Sequence, residues 1–282
     1  MIVDGKKIAS EILAKLKSEP FGKLRARKFL AAFLVGDDPA SASFLKQKEK
    51  TAKELGVDFR LYKFPIDVKN DDLRAEVRKV AEHKTCGGVI VQLPLPEYMN
   101  EQYVLNVIPR EKDVDVLGER ALGAFYAGRN PVLPPAVGAV DEILSVRNVQ
   151  LESSRVAVVG RGMLVGKPIA LWLMDKVREL IVLGHSADLS ILKDVDIVIS
   201  GVGKAGVIRP DMLKPEAGVI DFGYDVSKSQ SATGKPSIRG DFDSEQLAAD
   251  DSRLAFYTPT PGGTGPLLVA KLFQNFYTLN TQ

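Results

Sequence analysis

A lysine on the apolar face of a helix snorkels to water, meets a partner or does chemistry. Lys48 stands on such a face. Winding "SASFLKQKEKTAKELG" (41–56) at about 100° per residue gathers Phe44, Leu45, Lys48, Ala52 and Leu55 into one arc, with Lys46, Lys50 and Lys53 opposite. Burial penalises an ammonium and lowers its pKa, which suits proton transfer near neutral pH. Gln92 ends the apolar run "GGVIVQ", at the carboxyl end of a strand, where open α/β sheets bind ligands. Asp113 and Asp115 follow a proline in "EKDVDVLG". Each also has a plain reading: a snorkelling lysine, a glutamine bonded to backbone, loop carboxylates in water.

A second group of residues points to a nucleotide. "RVAVVGRGMLVGKP" is an apolar strand, then Gly160, Gly162 and Gly166, then a helix. Such a turn lets backbone N–H groups and a helix N-terminus approach a pyrophosphate. The third glycine comes one residue later than in the usual G-x-G-x-x-G, and the strand-to-helix context supports the reading. The next strand, "LIVLG", ends in His185 and Ser186 with no acid before Asp188. Arg161 lies in the turn itself. A guanidinium and a hydroxyl without a carboxylate favour NADP over NAD.

These residues need a scaffold that presents strand ends on one side. "FLAAFLV" (29–35), "VDFRLYKF" (57–64) and "GGVIVQ" (87–92) read as strands. Between them lie the Lys48 helix and "NDDLRAEVRKVAEH" (70–83), the latter capped by Asn70 or Asp71. The alternation predicts a parallel sheet with right-handed crossovers. After the proline-rich "NPVLPPAVG" (130–138) and a helix over 139–148, a second βα series starts at Arg155, with strands near 155, 180, 195 and 218. A last amphipathic helix spans 264–278.

The 282 residues suit two domains. A net charge of +2 without a basic, aromatic-rich cluster argues against a nucleic-acid partner. One cysteine, Cys86, and two histidines, His83 and His185, argue against a disulfide and a metal site. No apolar run approaches membrane-spanning length, and the start lacks a signal-peptide pattern, so a cytoplasmic location is expected.

"GDDPAS", the Lys48 helix, "VQLPLP", "KDVD", "VGRG-x-x-VGKP", "GHS", "VGK-x-G", "VIDFG" and "TPTPGGTGP" occur in that order. Over essentially its full length the chain resembles the bifunctional methylenetetrahydrofolate dehydrogenase/cyclohydrolase (FolD-type) family. The resemblance implies an α/β protein of two lobes. An N-terminal catalytic domain (1–133, completed by 258–282) would join a Rossmann-like NADP-binding domain (134–257), the C-terminal helix returning to the first lobe. It implies oxidation of 5,10-methylenetetrahydrofolate with NADP, then hydrolysis of the methenyl product to 10-formyltetrahydrofolate, in a homodimer without a metal. Lys48 is then the active-site lysine, Gln92 its partner and Asp115 the pterin anchor. Phe44, Leu93, Pro94, Gly262, Gly263 and Pro266 would line the folate. Gly160, Arg161, Gly162, Val165, Gly166, His185, Ser186, Gly203 and Tyr224 would line the cofactor.

The chain also departs from the family. Phe44 stands for the usual tyrosine, Val116 for the glycine after "DVD", and Gly162 for the serine of the glycine turn. Gly118-Glu119-Arg120-Ala121 replaces "HP-x-N", and Pro134-Pro135-Ala136-Val137 replaces "PCTP". Two other readings compete: a non-catalytic folate- or nucleotide-binding homologue, and a different NADP-dependent dehydrogenase. The latter needs an arginine clamp for a carboxylate, and the catalytic half's motif loops hold no arginine before Arg110.

Overall fold

The computed structural model describes residues 1–18, 28–230, 236–247 and 253–281. Two compact units divide the chain: Ser10–Pro135 with Val269–Gln282, and Met1–Ala9 with Ala136–Leu268. The division falls inside the first helix, α1 (Gly5–Ser18), and inside the last, α8 (Thr264–Leu279).

The first unit is built on a three-stranded parallel sheet of order β2-β1-β3, from β1 (Phe29–Val35), β2 (Asp58–Phe64) and β3 (Cys86–Val91). All seven residues of β1 are buried, as expected of a central parallel strand covered on both faces. Helix α2 (Pro39–Leu55) connects β1 to β2 and carries a full set of boundary signals. Asp38 caps it by accepting from Ser41 N at 2.7 Å, Pro39 starts it, and Gly56 ends it at φ 71° with its N–H on the last carbonyls.

Helix α3 (Asn70–Glu82) begins where expected, but neither expected residue caps it. Lys69 holds the cap position without a side-chain bond. Asn70 Oδ1 instead accepts from Asn100 N at 3.2 Å, and Asp71 accepts from the Tyr103 hydroxyl at 2.7 Å. Tertiary partners from the short helix α4 (Glu101–Leu105) and its cap won over local capping. Helix α5 (Glu119–Tyr126) follows. Helix α6 (Pro135–Val146) starts four residues before the sequence expectation, because Pro135 sits at its first turn, where a missing N–H costs nothing.

In the second unit five parallel strands have the order β10-β7-β6-β4-β5. They are β4 (Arg155–Val159), β5 (Glu179–Leu183), β6 (Ile197–Ser200), β7 (Gly218–Asp221) and β10 (Phe256–Tyr257). Helix α7 (Gly166–Leu173) follows β4. The short β10 and an antiparallel pair, β8 (Asp225–Gln230) with β9 (Pro236–Arg239), were not read from the sequence.

The last helix returns to the first unit as the sequence led us to expect. A Cβ on Gly88 would lie 2.7 Å from Val114 and 2.9 Å from Phe276, so that glycine lets α8 and the 114 segment pack directly on β3. Buried Asn275 donates to Val114 O at 2.9 Å and Leu133 O at 2.8 Å. Asn280 donates to Gly87 O at 2.9 Å. Asn275→Ala strands two carbonyls and is expected to cost roughly 1–3 kcal/mol in chemical denaturation. Gln274→Ala, on the exposed side of the same helix, should stay within about 0.5 kcal/mol of wild type. Equal effects would mean that α8 is held by its apolar face alone.

Candidate active site

In the first unit, Lys48 projects from the third turn of α2 and donates from Nζ to Gln92 Oε1 at 3.1 Å. Gln92 follows β3 directly. Its backbone N–H donates to Phe33 O of the central strand at 2.9 Å, and its Nε2 donates to Leu93 O at 2.8 Å. The amide is therefore turned with its oxygen toward the lysine. Burial pulls the Lys48 pKa below the ordinary lysine range, against the opposing pull of the Asp115 charge. Burial likewise raises Asp115, and the lysine's charge resists that rise. The side chains of both residues are half-buried overall, while their charged ends are surrounded by protein. Phe44, one turn before Lys48, is half-buried.

Asp115 belongs to a tightly tied segment. Asp113 forms an isolated parallel bridge to Val89 of β3, which sets the segment along that strand. The Asp113 carboxylate, 2% exposed, accepts from Leu117 N at 3.0 Å and Gly118 N at 2.8 Å through Oδ2. Val116, between them, has φ 57°, a genuine outlier for a β-branched residue. It is wholly buried and packs with Ala121 and Val132. Asp113, offered by the sequence beside Asp115, is thus an internal anchor.

Leu93 is buried and Pro94 exposed just beyond Gln92. Gly262, Gly263 and Pro266 belong to the second unit. Gly262 has φ 107°, a conformation open to glycine, and among the described residues only Lys6 Cε lies within 4 Å of where its Cβ would be. Gly263 has an internal reason to be glycine: a Cβ there would lie 2.6 Å from Pro259 O and 2.7 Å from Thr258. Pro266 is half-buried in the first turn of α8.

The glycine turn of the second unit forms as the spacing implies. Gly160 has φ 103°, and Gly166 packs on the Gly160 carbonyl so closely that no Cβ fits. Nothing among the described residues lies within 4 Å of where a Cβ on Gly162 would be. Val165 precedes α7, and its side chain covers Gly201. The Arg161 guanidinium fills the space that a Cβ on Gly184 would need, which brings it to the end of β5 beside exposed His185 and Ser186. Asp188 is committed elsewhere: it caps the following turn, accepting from Ser190 N at 2.9 Å and the Ser190 hydroxyl at 2.6 Å. Those bonds hold its pKa below the ordinary range. Gly203, at φ 74°, lies in the exposed loop after β6, and half-buried Tyr224 follows β7.

Two buried carboxylates escaped the sequence reading. Asp241, fully buried, accepts from the Ser200 hydroxyl at 2.6 Å, Val202 N at 2.7 Å and Lys204 N at 2.8 Å. Asp221 accepts from Gly223 N at 2.6 Å, Phe242 N at 3.0 Å and Asp241 N at 3.2 Å, and burial pushes its pKa up to about 6. The signal for Asp241 was an acid set between Gly240 and Phe242 after "SIR", an apolar setting for a carboxylate.

Residues 3–115 match the family model of the tetrahydrofolate dehydrogenase/cyclohydrolase catalytic domain, and residues 134–282 match its NAD(P)-binding domain. The chain belongs to the tetrahydrofolate dehydrogenase/cyclohydrolase family. It is 35% identical to the bifunctional protein FolD of Geobacillus thermodenitrificans, over 97% of this chain and 95% of that one. The crystal structure of the bifunctional FolD enzyme of Campylobacter jejuni superposes with a TM-score of 0.90 at 29% identity, covering 99% of this chain and 98% of that one. That of the Trypanosoma brucei enzyme, complexed with NADP cofactor and an inhibitor, gives 0.91 at 29% identity, covering 99% and 97%.

Asp113 supplies a pH test of the tied segment. Burial raises its pKa from 3.8 to about 7, against the pull of its backbone donors. Between about 4 and 7 the folded chain keeps a proton that the unfolded chain has released. The stability this group contributes is present at low pH and lost as pH rises through about 7. Asp113→Asn keeps an acceptor oxygen and removes the titration. Urea unfolding from pH 4 to 8 is expected to give a flatter stability profile for the variant; parallel profiles would refute the buried ionisation.

Proposed function

We propose that this protein oxidises 5,10-methylenetetrahydrofolate to the 5,10-methenyl form with NADP and hydrolyses that product to 10-formyltetrahydrofolate. The observation that carries the proposal is the Lys48–Gln92 bond, with Asp115 coupled to the same ammonium, in a chain matched by both family models.

In this reading Lys48 moves protons. Burial lowers its pKa from the ordinary lysine range, which eases release of a proton from the ammonium. Gln92 Oε1 takes one N–H, which leaves the other positions on nitrogen for the water and the departing ring nitrogen. Water attacks the bridging carbon of the methenyl cation, and Lys48 removes its proton. As the bond from that carbon to the ring nitrogen breaks, the lysine returns a proton to the nitrogen. Asp115, whose rise in pKa the Lys48 charge opposes, accepts from the amine and ring N–H of the pterin, a planar pair suited to a carboxylate. The Phe44 ring stacks on the pterin but brings no hydroxyl. Leu93 and Pro94 are proposed folate neighbours, and so are Gly262, Gly263 and Pro266, which the resemblance assigns to a catalytic domain of 1–133 and 258–282 but which fold with the second unit.

The second unit fits a dinucleotide, since Gly160 and Gly166 bring backbone and the N-terminus of α7 close together without side chains between. NADP held by this turn would supply the hydride acceptor for the bridging carbon. Arg161 and Ser186 suit a 2′-phosphate, and Gly162, Val165, His185, Gly203 and Tyr224 complete the proposed cofactor set in a domain of 134–257. Family resemblance further supports a homodimer.

Lys48→Met should abolish methenyl hydrolysis and leave part of the hydride transfer, so that methenyltetrahydrofolate accumulates in the dehydrogenase assay. Lys46→Met and Lys50→Met, both exposed on the same helix, should behave as wild type. Wild-type hydrolysis in Lys48→Met would return the lysine to a snorkelling role. For the cofactor, Arg161→Ala should weaken NADP by about 1.5–3 kcal/mol and NAD far less. Equal losses for the two, measured as KM, would count against the phosphate assignment.

A further inference from the structure

Segment 202–204 lies exposed just past the carboxyl end of β6, and its backbone is fastened from below by a carboxylate with no exposed surface. Asp241 Oδ2 accepts from the Ser200 hydroxyl at 2.6 Å and from Val202 N at 2.7 Å, while Oδ1 accepts from Lys204 N at 2.8 Å. The two N–H groups that point inward flank Gly203, whose φ of 74° turns the chain between them. Hydrogen bonds to a charged acceptor are roughly twice as strong as neutral ones. Three on one buried carboxylate therefore hold a short exposed turn in one shape.

The carboxylate is itself held. Asp221, at the end of β7, accepts from Asp241 N and Phe242 N. The Asp221 backbone also reaches the segment that begins α8, accepting from the Thr264 hydroxyl at 2.8 Å and donating to Thr258 Oγ1 at 2.7 Å. A single buried network thus spans the ends of β6 and β7, the turn after β9 and the entry to α8.

Sheet order says which part of a dinucleotide this turn meets. Strand β4 lies between β5 and β6. In such sheets the turn after the first strand takes the pyrophosphate and the end of the second strand takes the adenine ribose. Here those are the turn after β4 and the end of β5, where Arg161 lies. The end of β6, across β4 from β5, faces the half of the cofactor that NAD and NADP share.

We infer that Asp241 is a positioning residue for the dinucleotide: its buried carboxylate shapes the 200–204 turn that meets the half common to NAD and NADP. This rests on the proposed cofactor reading of the second unit. Arg161 then determines the choice between cofactors, and Asp241 the affinity for both.

Calorimetric titration of NADP and NAD into the full-length protein and its variants tests the inference. Asp241→Asn keeps one acceptor oxygen and turns an N–H₂ toward one of the backbone donors. It should raise both Kd values by the same factor, roughly tenfold or more. Amide exchange at Val202 and Lys204 should quicken in the same variant without cofactor. Arg161→Ala should raise the NADP value selectively. Ser200→Ala, which removes one of the three bonds and only a hydroxyl's volume, should raise both by roughly threefold. It carries the test alone if Asp241→Asn does not fold. Unchanged Kd values in the folded variants, or a loss confined to NADP, would overturn the inference while leaving the cofactor reading intact. Wild-type protein that binds neither dinucleotide would sink both, and the two failures are told apart by that control.

Discussion

An ammonium taken out of water must be met by oxygen, and the first unit is arranged around that requirement. Lys48 reaches Gln92 because two elements end where they do. Asp38, Pro39 and Gly56 fix the start and stop of α2, which sets the turn from which Lys48 projects. Strand β3 gives way to "LPLP" directly after Gln92, and the bond from Gln92 N to Phe33 O keeps that residue in register with the central strand. The glutamine amide is oriented in turn by Leu93 O. The proton transfer proposed for this lysine needs such support, since an unheld amine on four methylenes has no defined direction.

The carboxylates divide the labour by burial. Asp113 and Asp241 lie inside the protein and spend their oxygens on backbone N–H groups, shaping the turns above them. Asp115 is coupled to Lys48, and burial of its carboxyl competes with the lysine's charge. Val116 shows how firmly its segment is held. A β-branched residue stays at positive φ only when its surroundings over-determine it, and here Asp113 clamps the backbone while Ala121 and Val132 enclose the side chain.

The second unit follows a different economy, in which space matters more than charge. Gly160 and Gly166 approach each other backbone to backbone, and Gly184 leaves room for the Arg161 guanidinium. At Gly162, by contrast, nothing among the described residues lies within 4 Å of where a Cβ would be, so a side chain would fit there.

Much of this was legible in the residues. The buried run of β1, the strand-to-helix glycine turn and the odd placement of Lys48 are local signals, each set by chain geometry over fewer than twenty residues. Other features were decided only by tertiary contact. The cap of α3 was lost because Asn70 and Asp71 found partners about thirty residues away. Strand β10 exists because two residues meet β7 in register, and no propensity marks so short a piece. Asp241 and Asp113 read as loop acids, since a sequence does not say which carboxylate will be enclosed. Whether Gly263 is bare for a ligand or for Thr258 and Pro259 was likewise a question of packing. Periodicity fixes which face of an element is apolar; which polar groups that face will enclose depends on segments far away in the chain, and only the folded structure brings them together.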